Sequence, residues 1–127
     1  MLLLDENITA AAEEQLRRWR IPVRVITEHF AHKGAKDSDL VPILHRLAYP
    51  TFFTHDWDFW TPDLCHPRYC IVHLAVEDTE AADYIRRFLR LPQFRTAAQR
   101  LGNVIQVRQT GLTVIGSQHG RARSIEW

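Results

Sequence analysis

Lysine is nearly absent from this chain. Of its 16 basic residues only Lys33 and Lys36 are lysines, and the rest are arginines. Net charge is scarce too: 15 acids leave a formal +1, so there is no global basic field for nucleic acid. Cysteine is limited to Cys65 and Cys70, which make no disulfide framework. No apolar run approaches the roughly 20 residues that span a bilayer. Met1 to Leu4 is too short, and too soon followed by acids, for a signal peptide. A cytoplasmic location with no membrane partner is the expectation. What remains is 127 residues, 46% hydrophobic and 24% charged, the size and composition of one globular domain with a real core.

The aspartates carry the most information. Asp5 follows Leu2-Leu3-Leu4 and precedes Glu6 and Asn7. Asp37 and Asp39 open a predicted helix. Asp56 and Asp58 follow the stretch Phe52-Phe53-Thr54. In an alternating β/α chain, strand ends and helix starts share one edge of the sheet, so acids distant in sequence converge there. Clustered carboxylates repel, and a hard divalent cation with oxygen ligands is the usual remedy. That constellation suits metal-assisted phosphodiester cleavage. The arginines form two groups: Arg17, Arg18, Arg20 and Arg24, then Arg86, Arg87, Arg90, Arg95 and Arg100. Arginine forks phosphate bidentately, so they are candidates for tracking a nucleic-acid backbone near the rim of such a site. Solvated helix faces are the plainer reading. Cys65, His66, Cys70 and His73 are zinc-ligand types, but their spacing fits no common zinc module.

Hydrophobic periodicity predicts the elements. Residues 1–5 form a short buried strand. Ile8, Ala12, Leu16 and Trp19 follow at helical spacing, capped by Asn7 or Thr9 and ended by Ile21-Pro22. Residues 23–26 form a second strand, and 27–33 a helical turn broken at Gly34. Leu40, Ile43, Leu44 and Leu47 mark a helix whose Pro42 favours a start near Asp39. Strands at 51–54 and 70–76 flank a Pro-bearing loop over 60–69. A helix capped by Asp78 or Thr79 carries Ala82, Ile85, Phe88 and Leu89, and a shorter one with Phe94, Ala97, Ala98 and Leu101 ends at Gly102. Residues 104–107 and 112–115 flank Gln109-Thr110-Gly111 as a β-hairpin. Residues 116–127 read as a loose polar tail. The expected class is α/β, with a mainly parallel sheet covered on both faces plus the C-terminal β-hairpin, in one domain over residues 1–115.

Three motifs in order resemble the PIN-like nuclease domains, above all a small bacterial branch. They are Leu3-Leu4-Asp5-Glu6-Asn7, Gly34-Ala35-Lys36-Asp37 and Thr54-His55-Asp56-Trp57-Asp58-Phe59. The resemblance implies a three-layer α/β/α sandwich with an acidic site for Mg²⁺ or Mn²⁺. It implies an endoribonuclease that hydrolyses RNA phosphodiester bonds. Carried over by motif, the catalytic and metal-binding residues are Asp5, Asp37, Asp56 and Asp58, with Glu6 and Asp39 as second choices. Many bacterial members resemble VapC toxins of toxin–antitoxin pairs. A small antitoxin protein and a homodimer are thus the implied partners.

Each residue also has a plainer role. Asp5, Asp37 and Asp39 are natural helix caps. Asp56 and Asp58 are ordinary turn residues, although in an extended segment both point to one side. Asn7 reads as a cap. His55 is a strand-end histidine or a proton shuttle. Thr54 is a strand residue or orients a carboxylate. Trp57 and Trp60 pack under a loop or stack on RNA bases. Two other function classes stay open. One is a non-catalytic PIN-like RNA- or protein-binding module whose acids never hold metal. The other is a receiver-like phospho-acceptor domain built on Asp5, Glu6 and Asp56, which lacks the lysine expected at a late strand end.

Overall fold

The structure, a computed structural model, describes residues 1–116 and 121–127. Five strands run parallel: β1 (Leu2–Leu4), β2 (Val23–Val25), β3 (Thr51–Thr54), β4 (Cys70–Leu74) and β5 (Asn103–Arg108). β6 (Gly111–Gly116) and β7 (Ala122–Glu126) add on antiparallel. The seven-stranded order is β2-β1-β3-β4-β5-β6-β7. The helices are α1 (Ala10–Arg18), α2 (Ile26–His29), α3 (Asp37–Arg46), α4 (Ala81–Arg90) and α5 (Ala97–Arg100). None is long and apolar enough to cross a membrane among the described residues.

Successive strand residues face opposite sides, so each central strand feeds two cores. Leu4, Phe53, Val72 and Ile105 pack with Leu16 of α1 and Ile85 and Phe88 of α4. Their neighbours Leu3, Phe52, Ile71 and Val104 pack on the other face with Ile26 of α2 and Leu40, Ile43 and Leu44 of α3. Every residue of β3 and β4 is buried, because both faces of these central strands are covered. The result is an α/β sheet with helices on both sides, compatible with a three-layer α/β/α arrangement. From β1 the chain first steps to β2 at one side, then returns past β1 to β3 on the other. That reversal opens a crevice at the carboxyl ends of β1 and β3, the place where such sheets bind ligands.

Several local expectations shift. α3 begins at Asp37 rather than near Asp39, with Pro42 inside it. Proline there costs one hydrogen bond, to the Ser38 carbonyl, close enough to the helix start to be tolerated. The entry to α4 is a 3-10 turn over Asp78–Glu80, where the Glu77 N–H donates to Glu80 Oε1 at 3.3 Å. Thr9, not Asn7, caps α1, accepting the Ala12 N–H at 3.1 Å.

The larger correction is at the C-terminus. The segment expected as a loose tail contributes β7, paired to β6 through Val114↔Arg123 and Leu112↔Ile125. The Trp127 indole N–H donates to the Arg108 carbonyl at 2.8 Å, and its ring lies 5.7 Å from Tyr84. A polar edge strand carries no apolar alternation, because its outer faces meet water and its ladder supplies the order. Gly111 permits the close pairing: a Cβ there would run into the backbone of Ile125, and its φ is +151°. Residues 117–120 of the expected tail lie outside the described residues.

Candidate metal centre

β1 and β3 are neighbours in register, so the residues that follow them meet at one edge: the Asp5 N–H donates to the Phe53 carbonyl at 2.9 Å. Asp5 is 5% exposed and its carboxylate is tightly held. Thr54 Oγ1 donates to Asp5 Oδ2 at 2.7 Å, Asn7 Nδ2 donates to the same oxygen at 3.3 Å, and the Glu6 N–H donates to Oδ1 at 2.8 Å. Thr54 also accepts the Asp56 N–H at 3.0 Å, and Asn7 Oδ1 accepts the His55 N–H at 3.1 Å. Thr54 and Asn7 thus brace the Asp5 turn against the turn that carries Asp56. Burial pushes the Asp5 carboxyl above its usual range. Hydrogen bonds from Thr54 and Glu6 oppose that shift, and the charge of Asp56 adds to it.

Outside this frame, Asp37, Asp56 and Asp58 each bring a carboxylate oxygen within 4.8 Å of the others. It is the one such group of three or more metal-capable side chains among the described residues. Asp56 Oδ1 accepts the Asp58 N–H at 2.9 Å, a tight turn that keeps both acids together. Asp37 enters from the first residue of α3. Its carboxyl is pushed up to about 6, first by burial, then by the charge of Asp56 and a hydrogen bond with it, then by Asp58 and Asp5. A proton there relieves crowding that a cation would relieve better. Three hard oxygen donors suit Mg²⁺ or Mn²⁺, directly or through the ion's waters.

The four expected site residues therefore occupy one edge in two roles. Asp37, Asp56 and Asp58 form the group that can hold an ion, and Asp5 lies beside it within the hydrogen-bonded frame. The second choices are occupied elsewhere. Glu6 Oε2 accepts the Gly34 N–H at 3.1 Å and ties down the loop before α3. Asp39 accepts the Lys36 N–H at 3.2 Å as a helix cap. No zinc-capable group forms around the cysteines among the described residues. The Cys65 thiol donates to the Ile115 carbonyl at 3.4 Å, and Cys70 is buried in β4 with its thiol pushed up to about 12.

The arginines that close α1 and α4 lie away from the acidic edge. α1 and α4 return the chain from the carboxyl edge of the sheet to the amino edge, with Arg17, Arg18, Arg87 and Arg90 in their last turns and Arg20 just past α1. Arg86 lies over the Trp19 ring at 3.9 Å and Arg87 over Trp127 at 4.5 Å. Arg18 pairs with Glu14 at 2.7 Å.

On the far side of Asp56, His55 Nδ1 donates to the Leu74 carbonyl at 3.0 Å, and Nε2 lies 3.5 Å from Asp78 Oδ1. Trp57 is 64% exposed, its ring 4.5 Å from that of the wholly buried His73. Trp60 instead packs against the core on the α3 side. Sequence reasoning had offered Thr54 as a possible orienting group and treated Asn7 as a cap. Their shared hydrogen bonds span 47 to 49 residues, which no local pattern reports. No family model, no curated protein and no solved structure matches this chain.

Proposed function

We propose that this protein is a PIN-like, Mg²⁺- or Mn²⁺-dependent endoribonuclease that hydrolyses RNA phosphodiester bonds. The observation that carries the reading is the group Asp37, Asp56 and Asp58, with one carboxyl already pushed up to about 6. Under it, the three acids hold the cation. Asp5, fastened by Thr54, Asn7 and the Glu6 N–H, contributes fixed negative charge from behind. A bound divalent ion would supply Lewis acidity, activating water near neutral pH and neutralising charge on the phosphodiester. No side-chain nucleophile is required. The motif resemblance further suggests a cytoplasmic toxin blocked by a small antitoxin and acting as a homodimer.

The test is Mn²⁺ calorimetry beside cleavage of a mixed RNA substrate, comparing wild type with Asp37→Asn and Asp56→Asn. Loss of metal binding and of cleavage together supports the reading. Cleavage that survives both substitutions overturns it.

A second reading has one observation in its favour. The arginines at the ends of α1 and α4 lie away from the acids, leaving fewer cations there to hold phosphate. That favours a non-catalytic PIN-like RNA- or protein-binding module, in which a folded wild type neither binds Mn²⁺ nor cuts RNA. The receiver-like alternative has less support, because the position at the end of β5 is Arg108, whose Nη2 is committed to Thr113 Oγ1 at 2.8 Å.

A further inference from the structure

A second cleft, of about 370 Å³, lies at the carboxyl edge beside the acids, bordered by His55, Trp57, Leu74, Glu77, Asp78 and Gln109. That volume falls in the range of small-ligand sites, about 300–1,000 Å³. Its one large aromatic wall is Trp57, the most exposed large apolar side chain of the described residues. The indole is braced from behind by His73, which is fixed in β4 with Nδ1 3.2 Å from Gln106 Nε2. An exposed aromatic face on a fixed support is a stacking platform whose side-chain entropy has already been lost.

The rest of the lining is rich in acceptors. His55 Nδ1 donates to the Leu74 carbonyl, and its Nε2 is buried with no well-formed hydrogen bond. Asp78 stands beside it with its carboxylate 67% exposed, and Glu77 adds a second carboxylate. The two exposed carboxylates, Glu77 and Asp78, call for a flat ligand edge that donates. Among the nucleobases, guanine offers adjacent N1–H and N2–H donors to a carboxylate, whereas uracil offers a single N3–H. Trp57 also lies between Asp56 and Asp58 in the chain, so a base stacked on it belongs to a nucleotide adjoining the acidic group.

We infer that the cleft is a nucleobase subsite that stacks an unpaired guanine on Trp57 and reads its donor edge with Asp78. This rests on the RNA reading given above, and it names the base next to the scissile phosphate.

Binding and cleavage are separable in the test. The single-stranded heptanucleotides UUUGUUU and UUUUUUU, each labelled with fluorescein, are titrated in EDTA so that no cleavage competes. Wild type is expected to bind the guanine-bearing strand about tenfold tighter. Trp57→Ala should weaken both strands by about tenfold, the usual scale for one lost stack. Asp78→Asn should bring the two affinities together, because its amide cannot accept both guanine donors. Both side chains are exposed, and an unchanged circular dichroism spectrum and Tm verify folding. Equal affinity for the two strands in wild type overturns the subsite, as does a preference that survives Asp78→Asn. Guanine-selective binding without cleavage in Mn²⁺ keeps the subsite and removes the hydrolase. Cleavage in Mn²⁺ without guanine preference does the reverse.

Discussion

At the carboxyl edge of the sheet, Asp37, Asp56 and Asp58 crowd together, and Asp37 is driven towards protonation. At the amino edge one guanidinium, Arg100, is buried to 6% exposure, and it is well satisfied. Its Nε donates to Thr51 Oγ1 at 2.8 Å, and Nη1 donates to the carbonyls of Phe94 and Arg95 at 2.9 and 3.1 Å. Both edges carry partly buried charge. In one the chain supplies the compensation, and in the other it leaves part of it missing. Charge compensated from within serves the fold, whereas the crowded carboxylates are the part of the molecule on which the proposed metal site rests.

The sharpest way to break this comparison is to neutralise one acid of the crowded edge. Asp56→Asn should remove Mn²⁺ binding and cut RNA cleavage by more than about 100-fold, while far-UV circular dichroism stays unchanged. Removing the brace rather than a ligand should do less. Thr54→Val deletes the bond to Asp5 and should cost about 10–100-fold in metal affinity or activity, measured by calorimetry and steady-state kinetics. The amino edge should respond in stability instead. Arg100→Met strands two carbonyls and a hydroxyl and should cost about 2–4 kcal/mol in urea unfolding, with the activity of the folded fraction retained.

Asp37→Asn has opposite effects on function and stability. The Asp37 carboxyl is pushed up to about 6, above the ordinary aspartate value, so the folded state binds the proton more tightly. The stability contributed by this group is present at low pH and is lost as pH rises from about 4 through about 6. Without metal, Asp37→Asn should therefore raise Tm by a few degrees at pH 7 and do little at pH 4, as differential scanning calorimetry would show. In wild type, Mn²⁺ affinity should fall as pH drops below about 6, because proton and ion compete for one carboxylate. The smallest effect is expected on the arginine-bearing helices. Gln at Arg87 and Arg90 together should change KM for RNA by less than about twofold. A larger rise would return these arginines to the substrate path and blur the contrast between the edges.

Much of the fold was legible because its signals are local. The apolar stretches of β3 and β4 and the prolines around them, Pro50, Pro62 and Pro67, place the strands. The 3.6-residue spacing of Leu40, Ile43 and Leu44 places α3. β7 was not legible, since Ala-Arg-Ser-Ile-Glu has no apolar period and gains its order from the β6 ladder. The site was half legible. Acids after strands and at a helix start could be picked out, but not which of them meet.

The order of its residues alone made this chain an α/β protein and set Asp5, Asp37, Asp56 and Asp58 at the ends and starts of its elements. Only the tertiary structure decided that Asp37, Asp56 and Asp58 converge, that Asp5 stands beside them in a frame with Thr54 and Asn7, and that the arginines closing α1 and α4 go to the opposite edge. The physical reason is that side-chain period and capping are read within a few residues. Convergence depends on strand order and register, which join positions nearly 50 apart and are settled by packing of the whole sheet.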